Sequence, residues 1–222
     1  MNKRKINTRR PKHTQDELRE LILEAATKLI DERGLEALSA REVARQIGYS
    51  PGTLYNVFKD RDEIILTIQS RLLDKLAVHL DAVQSTRGDR ERVVALADSY
   101  LAFTQAYPKQ WNLLFEHRLI EGKPTPDWYQ EKIDGLMTRV EAALGPLAGE
   151  KSPTSMQLSA RVLWAGVHGI TSLSTAGKLA SISNEAAQTL VTNLVSTYLD
   201  GLTGPASKPA QRPPKKSSGQ SA

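Results

Sequence analysis

Two short helix patterns, separated by a four-residue turn, lie in the first third of the chain. The first pattern begins with a capping box, in which Ser39 accepts a hydrogen bond from the next turn and Glu42 bonds back. Gly48 ends this helix, because glycine readily adopts the left-handed conformation that stops a helix. The Ser50-Pro51 pair starts the second helix, since proline loses no hydrogen bond at the first helical position. The spacing predicts a helix-turn-helix, whose second helix typically enters the major groove of DNA.

The segment around this motif, residues 18–65, resembles the DNA-binding domain of TetR-type transcriptional regulators. An amphipathic first helix carries part of the resemblance. The remaining matches are Gly34, Ala44, Gly48, the Gly52-Thr53-Leu54-Tyr55 stretch and the Phe58-Lys59-Asp60 run. The resemblance implies an all-α protein, in which an N-terminal three-helix helix-turn-helix domain is joined to a larger helical ligand-binding and dimerisation domain.

Helix start and stop residues divide the chain into four parts. We expect a basic flexible arm over 1–14, a DNA-binding domain over 15–75 with its helix-turn-helix at about 39–58, a helical effector-binding and dimerisation domain over 76–202, and a disordered basic tail over 203–222. Outside the helix-turn-helix, helices are predicted at 15–33, from the Asp60 cap to about 84, and at about 89–106, 109–120, 126–144, 155–178 and 184–202.

Positive charge is concentrated at the two ends of the chain. Residues 1–13 carry six lysines and arginines and no acid, and residues 203–222 carry four bases and no acid. Residues 14–202 are mildly acidic, with 20 bases against 25 acids. The N-terminal arm is therefore predicted to contact phosphates or the minor groove of DNA, with a disordered, solubilising terminus as the alternative. The Pro- and Ser-rich tail is interpreted as disordered.

By the resemblance, a set of residues in and beside the helix-turn-helix binds DNA: Ser39, Arg41, Ser50, Pro51, Gly52, Thr53, Tyr55, Asn56, Lys59 and Arg61. Gly52 allows close approach, and Thr53 and Tyr55 offer hydroxyls to phosphates. Asn56 contacts a base edge, and Arg41 is suited to bidentate contact with guanine. Lys59 and Arg61 are expected to bind phosphates.

Aromatic residues form a second cluster within residues 100–129. Five of them follow one another at spacings of three or four, which is typical of a buried helical face. One interpretation is an aromatic core. The other is an apolar effector pocket, lined by Phe103, Tyr107, Trp111 and Phe115, because pockets in helical bundles are commonly aromatic.

The stretch Trp164-Ala-Gly-Val-His168-Gly169 resembles a motif of one subset of TetR-type C-terminal domains, named for its tryptophan and histidine-glycine pair. Trp164 and His168 are four residues apart and share a helix face. The ring can close a pocket, and the imidazole can hydrogen-bond a polar ligand. The alternative is a packed indole beside a core histidine.

The last two helix patterns carry apolar stripes wide enough for more than one buried face. By the resemblance, they form a four-helix homodimer interface that positions two recognition helices on a near-palindromic, double-stranded operator. The expected function is a repressor that a small, largely apolar ligand releases from DNA by favouring splayed DNA-binding domains. The alternative is a DNA-bound organiser or partner-binding protein without a small effector.

Several classes of protein are not expected. The chain has no cysteine, and neither a catalytic constellation nor a metal-spaced cluster is apparent, so we predict neither an enzyme nor a metal or cofactor site. The longest apolar run, residues 162–167, is far shorter than the roughly 20 residues that span a bilayer. The basic N-terminus leads into a charged segment rather than an apolar one. We therefore expect a cytoplasmic, nucleoid-associated protein without a membrane partner.

Overall fold

A computed structural model describes residues 13–83, 88–119, 124–149 and 152–203. Most of the predicted basic arm, and all but the first residue of the predicted tail, lie outside these ranges. The described residues form α-helices and short 3₁₀ turns and include no strand. The helices are α1 (Gln15–Arg33), α2 (Ala40–Ile47), α3 (Pro51–Tyr55), α4 (Arg61–Asp81), α5 (Asp89–Ala106), α6 (Pro108–Glu116), α7 (Asp127–Leu144), α8 (Pro153–Thr175) and α9 (Ala187–Thr203). The predicted all-α fold is confirmed.

Side-chain caps fix several helix starts, although one predicted cap is only half formed. Ser39 accepts a hydrogen bond from the Glu42 N–H at 3.2 Å, as predicted. The Glu42 carboxylate does not return the bond, because it pairs with Arg45 and Arg33. Ser50 makes no cap to the backbone either, and its hydroxyl lies 3.0 Å from the Thr53 hydroxyl. The prediction of two side-chain caps in the motif was therefore right for one.

The helices end close to the predicted positions, with three exceptions. The helix predicted to reach about 84 ends at Asp81, the helix predicted over 109–120 ends at Glu116, and the helix predicted over 155–178 ends at Thr175. The turn between α2 and α3 is as expected, because Gly48 adopts the left-handed conformation with φ 75° and ψ 26°.

The DNA-binding domain has its own apolar core, built mainly from α1 to α3 and the first turns of α4. Leu54 and Phe58 are fully buried in it, so both serve to pack α3 and the segment after it against this core. Leu113 of α6 also belongs to this core, although α6 lies far along the chain. The two domains are thus joined by packing as well as by the continuous helix α4.

A second core fills the space between α4 and the five later helices. The latter part of α4 supplies Leu72, Leu73, Leu76 and Leu80 to it. Helix α5 packs against α4, α7, α8 and α9 and lies at the centre of this body. Gly166 allows close contact between α8 and α9, since a Cβ there would lie 2.8 Å from Leu194 Cδ2.

Candidate functional site

The residues predicted to contact DNA form a largely exposed face of α2, α3 and the segment that follows. Pro51, Gly52 and Asn56 are exposed, as are Arg41 and Lys59 on either side. The Tyr55 side chain is 55% exposed, although the neighbouring Leu54 is buried. An exposed aromatic ring beside a fully buried leucine is the pattern of a short helix with one face on the core and the other free for a ligand.

Gly52 has no packing reason to lack a side chain. A Cβ at this position would lie 3.8 Å from its nearest neighbour, Ser50 Oγ, which is an ordinary van der Waals distance. Its backbone is also helical, so no positive φ requires glycine. Glycine costs stability inside a helix, and neither packing nor backbone conformation within the chain accounts for glycine at this position.

Arg61 has a structural role that the sequence did not reveal. Its Nε donates a hydrogen bond to the Leu38 carbonyl at 3.0 Å, and Nη2 donates to the Leu35 carbonyl at the same distance. These bonds hold the 3₁₀ turn between α1 and α2 against the start of α4. The geometry favours a positioning role for Arg61 over the phosphate contact that was predicted.

His13, at the end of the basic arm, is anchored to the helix-turn-helix. Its Nδ1 lies 2.6 Å from the Tyr49 hydroxyl in the turn before α3. His13 therefore lies beside the turn that precedes α3, next to the predicted DNA-binding face.

An apolar cavity of about 190 Å³ lies in the body between α4, α5, α6, α7 and α8. Five aromatic side chains line it: Tyr100, Trp111, Phe115, Tyr129 and Trp164. Leucine, isoleucine, valine, methionine and alanine supply nearly all of the remaining wall. Protein cores seldom contain voids larger than a water molecule, so a space of this size is typical of a binding site.

Three of the six residues predicted to bind a ligand line this cavity: Trp111, Phe115 and Trp164. Phe103 is buried behind the wall, with its ring centroid 6.2 Å from that of Trp111. Tyr107 lies at the corner between α5 and α6, so the aromatic series is divided between two helices rather than lying on one face. Sequence reasoning missed the cavity residues Tyr100 and Tyr129, although both belong to the aromatic cluster from which the pocket was predicted.

His168 stands behind the cavity wall and is bonded within the protein. Its Nδ1 lies 2.9 Å from the Tyr100 hydroxyl, and its Nε2 lies 3.2 Å from the Ser172 hydroxyl. The ring stacks on Trp164 with a centroid distance of 5.1 Å and an interplanar angle of 5°. Burial lowers the pKa of His168 and raises that of Tyr100. This arrangement favours a positioning role, in which His168 holds Tyr100 and Trp164 against the cavity.

One charged side chain, Arg139 of α7, lines the cavity within the described residues. Its Nε and Nη2 each donate to a carboxylate oxygen of Asp81 on α4 at 2.7 Å. These bonds hold the pKa of Asp81 below its ordinary value. Tyr129, on the same wall, is neutral, because burial raises its pKa to about 12.

Helix α6 connects the cavity to the DNA-binding domain. Trp111 and Phe115 line the cavity, and Gln110 on the same helix donates to both carboxylate oxygens of Asp31 in α1, at 3.1 and 2.9 Å. Lys109 donates to the Asp31 carbonyl. Two further side chains of α4 hold α6: buried Gln69 donates to the Leu113 carbonyl at 2.8 Å, and Asp62 lies 3.4 Å from His117 Nε2. A ligand that displaces Trp111 or Phe115 therefore acts on a helix fastened to α1.

Helices α8 and α9 each bury one apolar stripe in the body and leave a second one accessible. Leu163 and Val167 of α8 are buried, whereas Leu158 and Val162 are 63% and 50% exposed. On α9, Val191, Val195 and Leu199 are buried, whereas Leu190 and Leu194 are partly exposed. The two wide stripes in the sequence thus correspond to an inner and an outer face.

In the part of the chain that the structure describes, no group of three or more potential metal ligands lies together, and none of the helices is long and apolar enough to cross a membrane.

Two family profiles match the chain. Residues 22–68 match the profile described as bacterial regulatory proteins, tetR family, and residues 93–198 match the tetracyclin repressor-like C-terminal domain. The chain belongs to the TetR family. The first profile covers α2 and α3, and the second covers much of the cavity wall, including α6 and α8.

Individual relatives agree with this assignment. An HTH-type transcriptional regulator of Staphylococcus aureus strain USA300 is 33% identical over 85 residues, which are 38% of this chain and 46% of the relative. The chain thus aligns with about half the length of the curated relatives it matches.

Solved structures share the fold at low sequence identity. A Rhodococcus sp. RHA1 protein with unknown function is 24% identical with a TM-score of 0.72, over 88% of this chain and all of that one. The TetR-family repressor FadR of Thermus thermophilus, solved in complex with lauroyl-CoA, is 19% identical with a TM-score of 0.61, over 86% of this chain and 97% of that one.

Proposed function

We propose that this TetR-family protein is a homodimeric DNA-binding regulator, a repressor that a small and largely apolar ligand releases from a near-palindromic operator. The observation that carries the proposal is the connection between two sites by α6. This helix lines the apolar cavity on one side and bonds to α1 of the DNA-binding domain on the other. Two sites and a rigid element between them are what ligand control of DNA binding requires.

DNA recognition is assigned to the exposed face of α3 and the neighbouring Arg41. A guanidinium can bind guanine through two parallel hydrogen bonds, and hydroxyls such as that of Tyr55 bind phosphates. The exposed Gly52 supports this assignment, because nothing within the protein explains the absence of a side chain there.

The homodimer is assigned to the outer apolar face of α8 and α9. A monomer that exposes Leu158 and Val162 in one row gains stability by covering them. A two-fold pair of these helices would form a four-helix interface and present two copies of α3 to successive major-groove faces.

Ligand control is favoured over the alternative of a DNA-bound organiser without an effector. In that alternative the aromatic cluster is only core, and a core would be close-packed. Instead four members of the cluster, Tyr100, Trp111, Phe115 and Tyr129, line a cavity of about 190 Å³. The fold neighbour FadR was solved in complex with lauroyl-CoA, which carries an acyl chain, and this supports an apolar ligand here.

Two measurements test the DNA side of the proposal. Fragments bound by the purified full chain are selected from genomic DNA of the source organism, and their affinities are measured by fluorescence anisotropy at two salt concentrations. We expect a near-palindrome that binds two chains, determined by analytical ultracentrifugation. Arg41→Ala and Tyr55→Phe should each weaken binding at least about tenfold, because each removes hydrogen bonds to the DNA.

Arg92→Ala is the matched control, since Arg92 is an exposed arginine on α5 in the body. It should leave operator affinity unchanged. Recovery of unrelated fragments, with steep salt dependence and no effect of Arg41→Ala, would contradict sequence-specific binding. A thermal-shift screen of apolar compounds tests the ligand side: a compound that stabilises the body should also weaken operator binding, and a silent screen favours the organiser.

A further inference from the structure

Among the described residues, one basic residue belongs to the otherwise apolar wall of the cavity. Within the described residues, Arg139 is the charged member of the lining, and its side chain is 32% exposed to solvent. A residue that lines a cavity and also contacts solvent lies at the rim. The two tyrosines of the wall are neutral at about pH 7, as phenols ordinarily are, and burial raises the pKa of both further.

Arg139 is held firmly, yet its hydrogen-bonding capacity is not used up. A guanidinium has five N–H groups. Two donate to Asp81, and a third, on Nη1, donates to the Gly135 carbonyl at 2.9 Å. Two N–H groups remain without a partner among the described residues. The bidentate pair with Asp81 fixes the plane of the guanidinium, so those two groups are presented in a constant orientation.

We propose that the cavity binds an amphipathic carboxylate, with its apolar body inside and its carboxylate on the remaining N–H groups of Arg139 at the rim. This inference rests on the proposed function and deepens it by naming the chemical class of the effector. Arginine is well suited to the role, because its planar fork can hold carboxylates on two edges. The Asp81 side chain is 57% exposed, so solvent screens the repulsion between its carboxylate and the carboxylate of the ligand.

The volume of the cavity sets the size of the apolar body. An apolar cavity of about 150 Å³ accepts benzene, and by simple proportion the cavity of about 190 Å³ here accepts about eight carbon atoms. Octanoate is therefore a suitable probe, and octan-1-ol is its neutral counterpart of nearly the same shape.

The chain offers a matched control for Arg139. Lys132 forms an ion pair with Asp74, which joins the same two helices as the pair of Arg139 with Asp81, seven residues earlier on each helix. Lys132 does not line the cavity. Replacement of either base by methionine removes one ion pair between α4 and α7, but only Arg139→Met removes the donors at the rim.

The experiment is isothermal titration calorimetry of the full chain and both variants with octanoate and octan-1-ol. We expect the unaltered protein to bind octanoate at least about tenfold more tightly than octan-1-ol. Arg139→Met should lower the affinity for octanoate at least about tenfold and change the affinity for octan-1-ol by less than about twofold. Retained binding of octan-1-ol also shows that the variant is folded. Lys132→Met should bind both probes as the unaltered protein does.

Four results would overturn the inference. Three of them are equal affinity of the unaltered protein for the two probes, undiminished octanoate binding by Arg139→Met, and an equal loss of octanoate binding in Lys132→Met. In each case a neutral apolar compound that releases the protein from its operator would still support the proposed function. A protein that binds neither probe also overturns the inference, and the operator-release screen then decides the proposed function separately.

Discussion

Gly52 lies in the first turn of α3 with space for a methyl group, since the nearest atom to an added Cβ is 3.8 Å away. Gly52→Ala should stabilise the fold by about 0.5–1 kcal/mol, because alanine loses less backbone entropy in a helix. It should also weaken operator binding at least about tenfold, if the DNA backbone comes within contact of this position. Urea unfolding and fluorescence anisotropy measure the two effects.

Gly135→Ala on α7 is the comparison, because a Cβ there would also meet nothing closer than 3.6 Å. It should change stability in the same direction and leave operator affinity unaltered. Tight operator binding by Gly52→Ala would mean that the glycine has no role in DNA contact.

His168 provides a prediction of pH dependence. Burial lowers its pKa in the folded protein, and it faces the hydroxyls of Tyr100 and Ser172. The unfolded chain therefore binds a proton more readily, so the stability of the body should fall as the pH drops below about 6.5 and level off below the folded-state pKa. His168→Gln should show a smaller loss of melting temperature between about pH 7.5 and 5. His79→Gln, at an exposed position on α4, is the comparison. If both variants lose the same melting temperature over this pH range, His168 is not the cause of the pH dependence.

Sequence reasoning worked best for residues whose environment is set locally. The exposure of Tyr55 and the burial of Leu54 follow from positions on one short helix. Arg61 could not be interpreted in this way, because its two acceptors are carbonyls more than 20 residues earlier in the chain. Arg139 was missed for the same reason: only the packing of α7 on α4 brings it to the cavity.

At the scale of elements, α6 is a short helix with contacts to both domains. Its contacts with α1, from the exposed Lys109 and the partly buried Gln110 to Asp31, involve no residue of either core and can be removed by substitution. In the Lys109→Ala/Gln110→Ala double variant, a releasing ligand should still raise the melting temperature. The change in operator affinity that it causes should fall below about fivefold, the lower end of typical allosteric coupling.

The Lys28→Ala/Glu32→Ala double variant is the control, because it removes an exposed ion pair within α1. Its response to the ligand should equal that of the parent. If the ligand changes operator affinity as much in the α6 variant as in the parent, the coupling between ligand and operator binding runs instead through α4 and the buried contact of Gln69 with Leu113.

Helix positions were largely predictable, because caps, prolines and glycines act over a few residues. The Thr14 and Glu17 capping box is present, and α1 occupies the predicted range. The sequence predicted an aromatic cluster but left open whether it forms a packed core or a pocket. Its volume depends on how side chains from five helices fail to fill the space between them, and no local pattern encodes that mismatch.

At the scale of the whole molecule, the candidate DNA-binding face and the outer face of α8 and α9 belong to different domains. Two recognition helices must be held roughly 34 Å apart to bind successive major grooves. A dimer through the outer face of α8 and α9 would fix the distance between the two recognition helices. A ligand that moves α6 and α4 would change this distance. The affinity of one DNA-binding domain alone is then less important than the geometry of the pair.

Val162→Glu tests this arrangement. Val162 is 50% exposed within one chain, so a carboxylate there costs the folded monomer little, whereas in the proposed dimer it would be buried without a partner. We expect the dimer dissociation constant, measured by analytical ultracentrifugation, to rise at least about a hundredfold. Operator affinity should fall with it, while the helical circular dichroism spectrum is retained. Val78→Glu, on the exposed side of α4, introduces the same charge at a valine that is 70% exposed and should leave both quantities unchanged. A dimeric Val162→Glu variant that binds its operator normally would place the interface elsewhere.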